Sequence, residues 1–399
     1  MLDLALIASP LIALLAVPVV LACGYLLLLT LLSGETQPPP ASSRRLRFDV
    51  IVPAHDEAAL IGRTVTGLQK LDWPPERFRI LVVADNCNDD TAERAHDAGA
   101  EVLERHDPTL HGKGYALRHA FARSRDDGFA DAVVVVDADT DALPNLLEAC
   151  AARIEAGADA VQVHYGVRNP QDSWRTRLMT IAMAAIHALR SRARERLGLS
   201  CGIRGNGWCL THALLRRVPY QAWSLAEDLE YGIELGMAGV RVAYADEAEV
   251  LGDMVSGERS AATQRQRWES GRFAQIRSKT MPLLRAALAR RSAVCLDLGL
   301  DLLVLPLSYI ALAAVGYTVV AMLAARWLAT PALLAWIGVA SLASIAVYVL
   351  RGWQLSGVGR RGLIDLARAP FFVIWKVLLI LQRRGTREWL RTERETGRP

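Results

Sequence analysis

A chain of 399 residues, 52% hydrophobic and 22% charged, has apolar material for about two to three folded units and is no disordered chain. Its net charge of +4 is too small to argue for a nucleic-acid partner. Six scattered cysteines (Cys23, Cys87, Cys150, Cys201, Cys209, Cys295) lack any C-x-x-C spacing, which argues against a zinc site or disulfide framework and fits a reducing compartment.

Leu4 to Gly34 contains no charged side chain, and a bilayer core asks for about 20 apolar helical residues. The preceding residues carry Asp3 and no base, so an uncleaved anchor is expected rather than a signal peptide. Pro10 and Pro18 would kink it, which membrane helices tolerate. Leu302–Ala325 and Trp327–Leu350 are likewise uncharged and are separated by Arg326 and a turn with Pro331, the pattern of a hairpin crossing twice. Leu363–Leu381 carries Asp365, Arg368 and Lys376, which favours a helix lying in the interface over a third span there. Arg44, Arg45 and Arg47 follow the anchor, and Arg285, Arg290, Arg291, Arg351, Arg360 and Arg361 flank the hairpin. The positive-inside rule then puts the middle region and the tail in the cytoplasm, with the chain multi-pass in the inner (cytoplasmic) membrane. The expected segments are 1–40 (anchor), 41–260 (soluble domain), 261–295 (a further segment with an interfacial helix), 296–351 (hairpin) and 352–399 (interfacial helix and basic tail).

In the middle, β-rich runs alternate with helix-like stretches. The runs are Phe48–Pro53, Arg79–Ala84, Glu101–Glu104, Ala132–Val136 and Ala160–His164; Glu57–Leu71 and Asp90–Ala98 are helix candidates. Such alternation predicts an α/β domain with a parallel sheet covered on both faces. Ligands of such sheets sit beyond the carboxyl ends of the strands, here at Pro53–Glu57, Asp85–Asn88 and Asp137–Thr140. All three ends are acidic. Asp137 and Asp139, directly after Val133–Val136, can aim two hard oxygen ligands at one Mg²⁺ or Mn²⁺ bridging phosphates.

His111-Gly112-Lys113-Gly114 sets a lysine between glycines ahead of a helix pattern, able to pair with an anion, although the P-loop spacing is absent. No G-x-G-x-x-G follows the first strand, so no dinucleotide cofactor is expected. Glu227 and Asp228 lie in an apolar context, where burial can raise a carboxylate into the general-base range; an acidic pair at a helix N-terminus is the plainer alternative. Arg267 beside Trp268 offers a phosphate clamp next to a flat face for a sugar, with a basic helix at the membrane surface as the alternative.

In this order, Val52-Pro53-Ala54-His55-Asp56-Glu57, Ala84-Asp85-Asn86, Lys113 with Ala116-Leu117, Asp137-Ala138-Asp139, Gly205-Asn206-Gly207, Glu227-Asp228 and Gln264-x-x-Arg267-Trp268 resemble the membrane-associated family 2 glycosyltransferases. These include cellulose, hyaluronan and poly-N-acetylglucosamine synthases and ceramide glucosyltransferase. The resemblance spans roughly residues 47–275. It implies a GT-A (Rossmann-like) fold, a nucleotide-sugar donor, here expected to be a UDP-sugar, and inversion at the anomeric carbon. By the same resemblance Pro53, Ala54, Asp56, Glu57 and Asp85 hold the nucleobase and ribose, and Lys113 lies near the nucleotide. Asp137 and Asp139 hold the cation on the diphosphate, and Asp228 deprotonates the acceptor with Glu227 beside it. Gly205, Asn206, Gly207 and Trp208 border the acceptor, while Gln264, Arg267 and Trp268 close over the diphosphate and stack on donor or acceptor. Asp56 departs from the asparagine common in the family and adds negative charge near the donor.

Three spans are few for a polymer channel, which points to one sugar added to a lipid-linked or glycolipid acceptor during cell-surface or exopolysaccharide synthesis. The alternatives are a processive synthase using an oligomer or polysaccharide-export partners, and a catalytically inactive nucleotide-sensing relative. Trp174–Leu199 sets Leu178, Ile181, Ala182, Ala185, Ile186 and Leu189 before Arg190, Arg192, Arg194 and Arg196. This suits a helix on anionic membrane lipids, with an amphipathic core helix as the alternative.

Overall fold

The computed structural model describes residues 2–254 and 258–370, with side chains described from residue 268 onward in the helix Glu258–Arg290. Two compact units emerge: one from residues 2–34, Arg177–Ala193 and 300–370, the other from Glu35–Thr176 and Arg194–Gly299.

The second unit is built on an eight-stranded sheet. Its strands are β1 (Phe48–Ala54), β2 (Phe78–Asp85), β3 (Glu101–Arg105), β4 (Ala132–Val135), β5 (Asp141–Ala142), β6 (Ala160–Val167), β7 (Trp208–Thr211) and β8 (Val242–Gly252). The order is β3-β2-β1-β4-β7-β6-β8-β5. The apolar runs β1, β2 and β4 lie side by side in parallel, because their Val and Ile side chains are buried on both faces by helices. One face packs on the helices Ile61–Leu68 and Leu146–Glu155, the other on Lys113–Asp127 and Glu227–Met237.

All five expected strands are present, but the sheet is mixed rather than parallel. β7 runs antiparallel to both β4 and β6, and β5 antiparallel to β8. β7 has four residues, enters from the glycine turn at Gly205 and Gly207, and its sequence Trp208-Cys209-Leu210-Thr211 holds no Val/Ile run, so it lacks the pattern that reveals the other strands. At the β6–β8 pairing the register shifts between Val163 and His164, after which His164 faces Glu249.

In the first unit three helices are long and apolar enough to cross a membrane: Leu4–Leu31, Leu307–Trp327 and Ala332–Ser356. The hairpin begins at Leu307, later than the expected Leu302, because Pro306 caps the helix and Leu302 belongs to the preceding helix Ala293–Leu303. Ile12, Leu26, Ala314, Tyr317, Ile345 and Tyr348 form its core. A Cβ on Gly338 would stand 2.4 Å from Thr318 Oγ1, the close approach that small residues permit between membrane helices. The helical stretch Trp174–Arg196 corrects the lipid-facing reading for two arginines. Arg190 is buried, with Asp301 at 3.1 Å and the Tyr348 hydroxyl at 2.9 Å; Arg194 is buried against Asp297 at 2.7 Å. A buried guanidinium needs such partners and cannot also serve lipid phosphates. Gly359–Leu366 is helical, and the rest of the segment expected to run to Leu381 lies outside the described residues past 370.

Candidate active site

The carboxyl ends of β1, β2 and β4 place the acidic motifs along one edge. Asp85, the last residue of β2, is 5% exposed and receives Arg105 Nη1 at 2.5 Å. Its carbonyl lies 2.7 Å from His55 Nδ1, so the ends of β1 and β2 are joined there. Pro53 and Ala54 close β1, and Asp56 and Asn86 both turn through positive φ, 52° and 53°, where each chain leaves its strand. Asp56 Oδ1 accepts from Asn88 N at 2.7 Å, and Glu57 N donates to Thr91 Oγ1 at 2.8 Å. Asp56, Cys87 and Asp89 bring three potential ligand atoms within 4.8 Å of one another. This cluster is a backbone cap rather than an attractive metal site. Asp89 also takes Ala58 N and Thr91, and burial pushes the Cys87 thiol up, away from the thiolate a metal needs.

Lys113 is the junction of the site. It opens the helix Lys113–Asp127, and its ammonium lies 2.5 Å from Asp137 Oδ1 and 2.6 Å from the Gly205 carbonyl. Burial alone would drive this ammonium down; Asp137, Glu227 and Asp228 around it carry it above the usual lysine value. Asp139 follows two residues on, with Thr140 Oγ1 at 3.4 Å from its Oδ1.

Glu227 and Asp228 open the helix Glu227–Met237, as the plainer helix-start reading expects. The pair also lies close to Lys113, with Asp228 beside Gly205. Burial, then Asp228, pushes Glu227 up to about 7, and burial raises Asp228 against the pull of its backbone amides, Lys113 and Arg204. A Cβ on Gly205 would stand 3.3 Å from Asp228 Oδ2, and Gly205 has φ +82°. The turn therefore needs glycine both for its conformation and for this approach.

The sequence-predicted residues thus converge in part. Lys113, Asp137, Gly205, Glu227 and Asp228 share one neighbourhood. Asn206 is fully buried and ties the turn to β4: its Oδ1 accepts from Asp137 N at 3.1 Å and its Nδ2 donates to Thr140 Oγ1 at 2.7 Å. Gly207 presses on Val163 and Val250. Trp208 stands apart from the acceptor-facing expectation. Its side chain is 2% exposed and packs with Phe121 and Tyr220, so it supports the site from beneath. Trp268 is 36% exposed, while the side chains of Gln264 and Arg267 lie outside the described residues.

Several contributing residues lie outside the candidate site residues read from sequence. Gly114 lets the Ala222 carbonyl approach to 2.3 Å of where a Cβ would stand, and Gly271 does the same for Ala226 at 2.8 Å. Tyr115 stacks on Trp223 with ring centroids 4.6 Å apart, Gln275 Nε2 donates to Ser224 Oγ, and Glu230 accepts from the amides of Trp223 and Ser224. The segment before Glu227 is thereby clamped between the lysine helix and the helix carrying Trp268. Only the two glycines inside helices could have hinted at this from sequence.

Residues 45–271 match the family described as Glycosyltransferase like family 2, more than half of the chain. The chain belongs to this glycosyltransferase family. Among curated proteins, this glycosyltransferase is 27% identical over 231 residues to the beta-monoglucosyldiacylglycerol synthase of Synechocystis sp. (strain ATCC 27184 / PCC 6803 / Kazusa), covering 56% of this chain and 47% of that one. It is 23% identical over 207 residues to the probable glycosyltransferase YdaM of Bacillus subtilis (strain 168), covering 50% and 48%. The chain thus spans about half the length of these relatives. The solved structure of a mannosyltransferase from Pyrobaculum calidifontis in complex with GDP-Man and Mn²⁺ aligns with TM-score 0.51 at 19% identity, over 85% of this chain and 99% of its own. The shared fold is GT-A.

Proposed function

We propose that this glycosyltransferase moves one sugar from a nucleoside-diphosphate sugar, a UDP-sugar in the first instance, to a hydroxyl of a lipid-linked or glycolipid acceptor with inversion. The observation that carries this reading is the single ammonium of Lys113 bridging Asp137 and the Gly205 carbonyl beside Glu227 and Asp228. Three carboxylates gathered around Lys113 leave negative charge that a divalent ion can neutralise, and that ion can in turn hold an anionic diphosphate donor. The donor set is hard oxygen, and Lys113 already stands as a cation against Asp137, so the residues fit Mg²⁺ or Mn²⁺ held by Asp137 and Asp139. When bound, such an ion would offset charge developing on the departing diphosphate.

Asp228 takes the proton of the acceptor hydroxyl as its oxygen attacks the anomeric carbon and the bond from that carbon to the diphosphate oxygen breaks. Its raised pKa strengthens it as a base once ionised. Pro53, Ala54, Asp56, Glu57 and Asp85 seat the nucleoside, and Gln264, Arg267 and Trp268 close over the diphosphate. Gly205 and Trp268 face the acceptor. The three apolar helices support a multi-pass position in the inner membrane with this site on the cytosolic side.

The test is incubation of the purified chain with radiolabelled nucleotide sugars, a total lipid extract, and Mg²⁺ or Mn²⁺. One labelled sugar appearing in the lipid phase, lost on chelation, is the expected result. Labelled polymer would favour the processive alternative, and nucleotide binding without transfer would overturn the enzymatic reading.

A further inference from the structure

We propose that Gln162 is a positioning residue of the catalytic centre: it holds the Arg204–Gly207 turn against which Lys113, Asp137 and Asp228 are registered. The proposal deepens the reading of Asp228 as the base and rests on it.

Gln162 lies in β6 between Val161 and Val163 and is 1% exposed. A primary amide in such a place is costly unless its hydrogen bonds are made. Here they are made, and nearly all go to one turn. Nε2 donates to the Asn206 carbonyl at 2.7 Å and lies 3.1 Å from the Gly207 carbonyl, and Oε1 accepts from Arg204 N at 2.8 Å. The remaining contact is with the Val163 carbonyl at 2.9 Å. The Asn206 side chain also ties the turn to Asp137 N and Thr140 Oγ1, but the backbone between Arg204 and Asn206 is gripped from beneath by Gln162. Gly205 and Gly207 have φ +82° and +66°, conformations open to glycine and free to change in the unfolded or loosened chain. Its far end is anchored by Gly207 N to Val135 O at 3.0 Å and Val163 N to Gly207 O at 2.9 Å, whereas Gln162 grips the backbone at Arg204 and Asn206.

What the turn touches gives this grip its consequence. The Gly205 carbonyl receives Lys113, Gly205 lies against Asp228, and Asn206 receives the amide of Asp137. Gln162 touches none of these three charged side chains in the hydrogen bonds above, yet the turn it holds takes Lys113 on the Gly205 carbonyl, lies against Asp228, and reaches the Asp137 backbone through the Asn206 side chain. An apolar side chain of similar size would fill the same volume and remove the Gln162 bonds to the Asn206 carbonyl and the Arg204 N–H, while the Gly207 carbonyl would keep the Val163 amide. A shift of the turn by a fraction of an ångström would then move the base and the lysine relative to each other. The donor-side contacts at the ends of β1 and β2 would stay where they are.

The experiment compares Gln162→Met and Gln162→Glu with Val161→Ala, a buried apolar truncation in the same strand with no polar grip on the turn. The full chain is used in detergent or nanodiscs. Amide exchange over residues 204–207 should rise in both Gln162 variants and not in Val161→Ala, per folded molecule. Transfer should lose about 30- to 100-fold in kcat, the scale on which small misplacement acts, with the nucleoside-diphosphate Kd unchanged. Equal losses in Val161→Ala at matched Tm, or a Kd that weakens in step with kcat, would reduce Gln162 to a packing residue and overturn the proposal. So would unchanged exchange over 204–207, whatever the turnover. If the wild-type chain transfers no sugar, the functional reading fails while the exchange comparison still decides the role of Gln162.

Discussion

The two ends of the central sheet use the same residue types to opposite effect. At the amino end of β1, Asp49 is fully buried and closed on every side. Arg79 from β2 lies at 2.7 Å and 3.1 Å from its two oxygens, Ser124 donates to it, and His212 Nε2 lies 2.9 Å from the Ser124 hydroxyl. At the carboxyl end, Asp137, Glu227 and Asp228 share the ammonium of Lys113, and burial has lifted the last two toward protonation. Paired burial fixes a fold, whereas unpaired burial stores an electrostatic deficit for a ligand to fill. The chain concentrates the second arrangement at the strand ends where α/β sheets bind ligands.

Substitutions that exchange the roles of these two ends break the comparison most sharply. Asp228→Asn should cost transfer about 10³-fold, within the range for a lost general base, while thermal stability holds or rises because a poorly compensated buried charge is removed. Turnover assays with thermal unfolding of the same sample check both halves. Asp49→Ala should do the reverse. It strips Arg79 and Ser124 of their shared acceptor, and unfolding should show about 3 kcal/mol of lost stability, at the low end for a broken buried pair. Arg79 keeps Glu101 and Asp127, which is why the low end applies. Specific activity of the folded Asp49→Ala fraction should remain close to wild type.

Glu227 sharpens the contrast through pH. Its folded value of about 7 lies above the ordinary carboxylate value, so the unfolded state holds the proton less well. The stability it contributes is full below the unfolded value and is lost as pH rises through 7. Glu227→Gln should therefore unfold at a higher temperature than wild type at pH 8, with the gap closing by pH 5. The acid limb of the transfer rate should also move to lower pH in this variant. A limb that stays near 7 would assign that ionisation to another group.

These contrasts show which features the sequence makes visible. The apolar runs of β1, β2 and β4, and the acidic residues that follow them, are local patterns, and each lands where the pattern places it. Asp137 and Glu227 are far apart in the chain, and their convergence on Lys113 depends on packing of two helices against one face of the sheet. Gly271 and Gln275 likewise act on residues far from them in the chain, Ala226 and Ser224. Gln162 reads as a polar interruption of a strand, because its partners are backbone groups that no residue pattern encodes. Asp49 and Arg79 stand at strand starts, where a charged residue normally reads as a solvated edge. Their burial follows from the third element, the end of the helix carrying Ser124. Arg190 and Arg194 were misleading for a related reason: the aspartates that pair with them lie more than a hundred residues downstream.

His212 provides the smallest and most discriminating prediction, because it should respond to pH in the opposite sense to Glu227. Burial lowers its pKa, against the pull of Asp49, while Arg216 and Arg125 push in the same direction as burial. The groups packed around it are Ser124 and Asp49, with Asp131 contributing a further attraction. The folded state therefore favours the neutral imidazole, and an unfolded histidine near about 6.5 takes the proton first. The contribution is fully present above that value and is lost as pH falls through it, levelling off once the folded imidazole also protonates. Replacing His212 with Asn should flatten the fall of Tm on acidification below about pH 6.5 and leave the opposing Glu227 contribution, which is lost as pH rises from the ordinary carboxylate value to about 7 and is level above that, unchanged. In the double variant with Glu227→Gln both slopes should diminish independently, since the two groups stand at opposite ends of the sheet and share no partner in their hydrogen bonds. An effect of Glu227→Gln on the Tm profile that differs with and without His212→Asn would show that charge at one edge of the sheet is felt at the other.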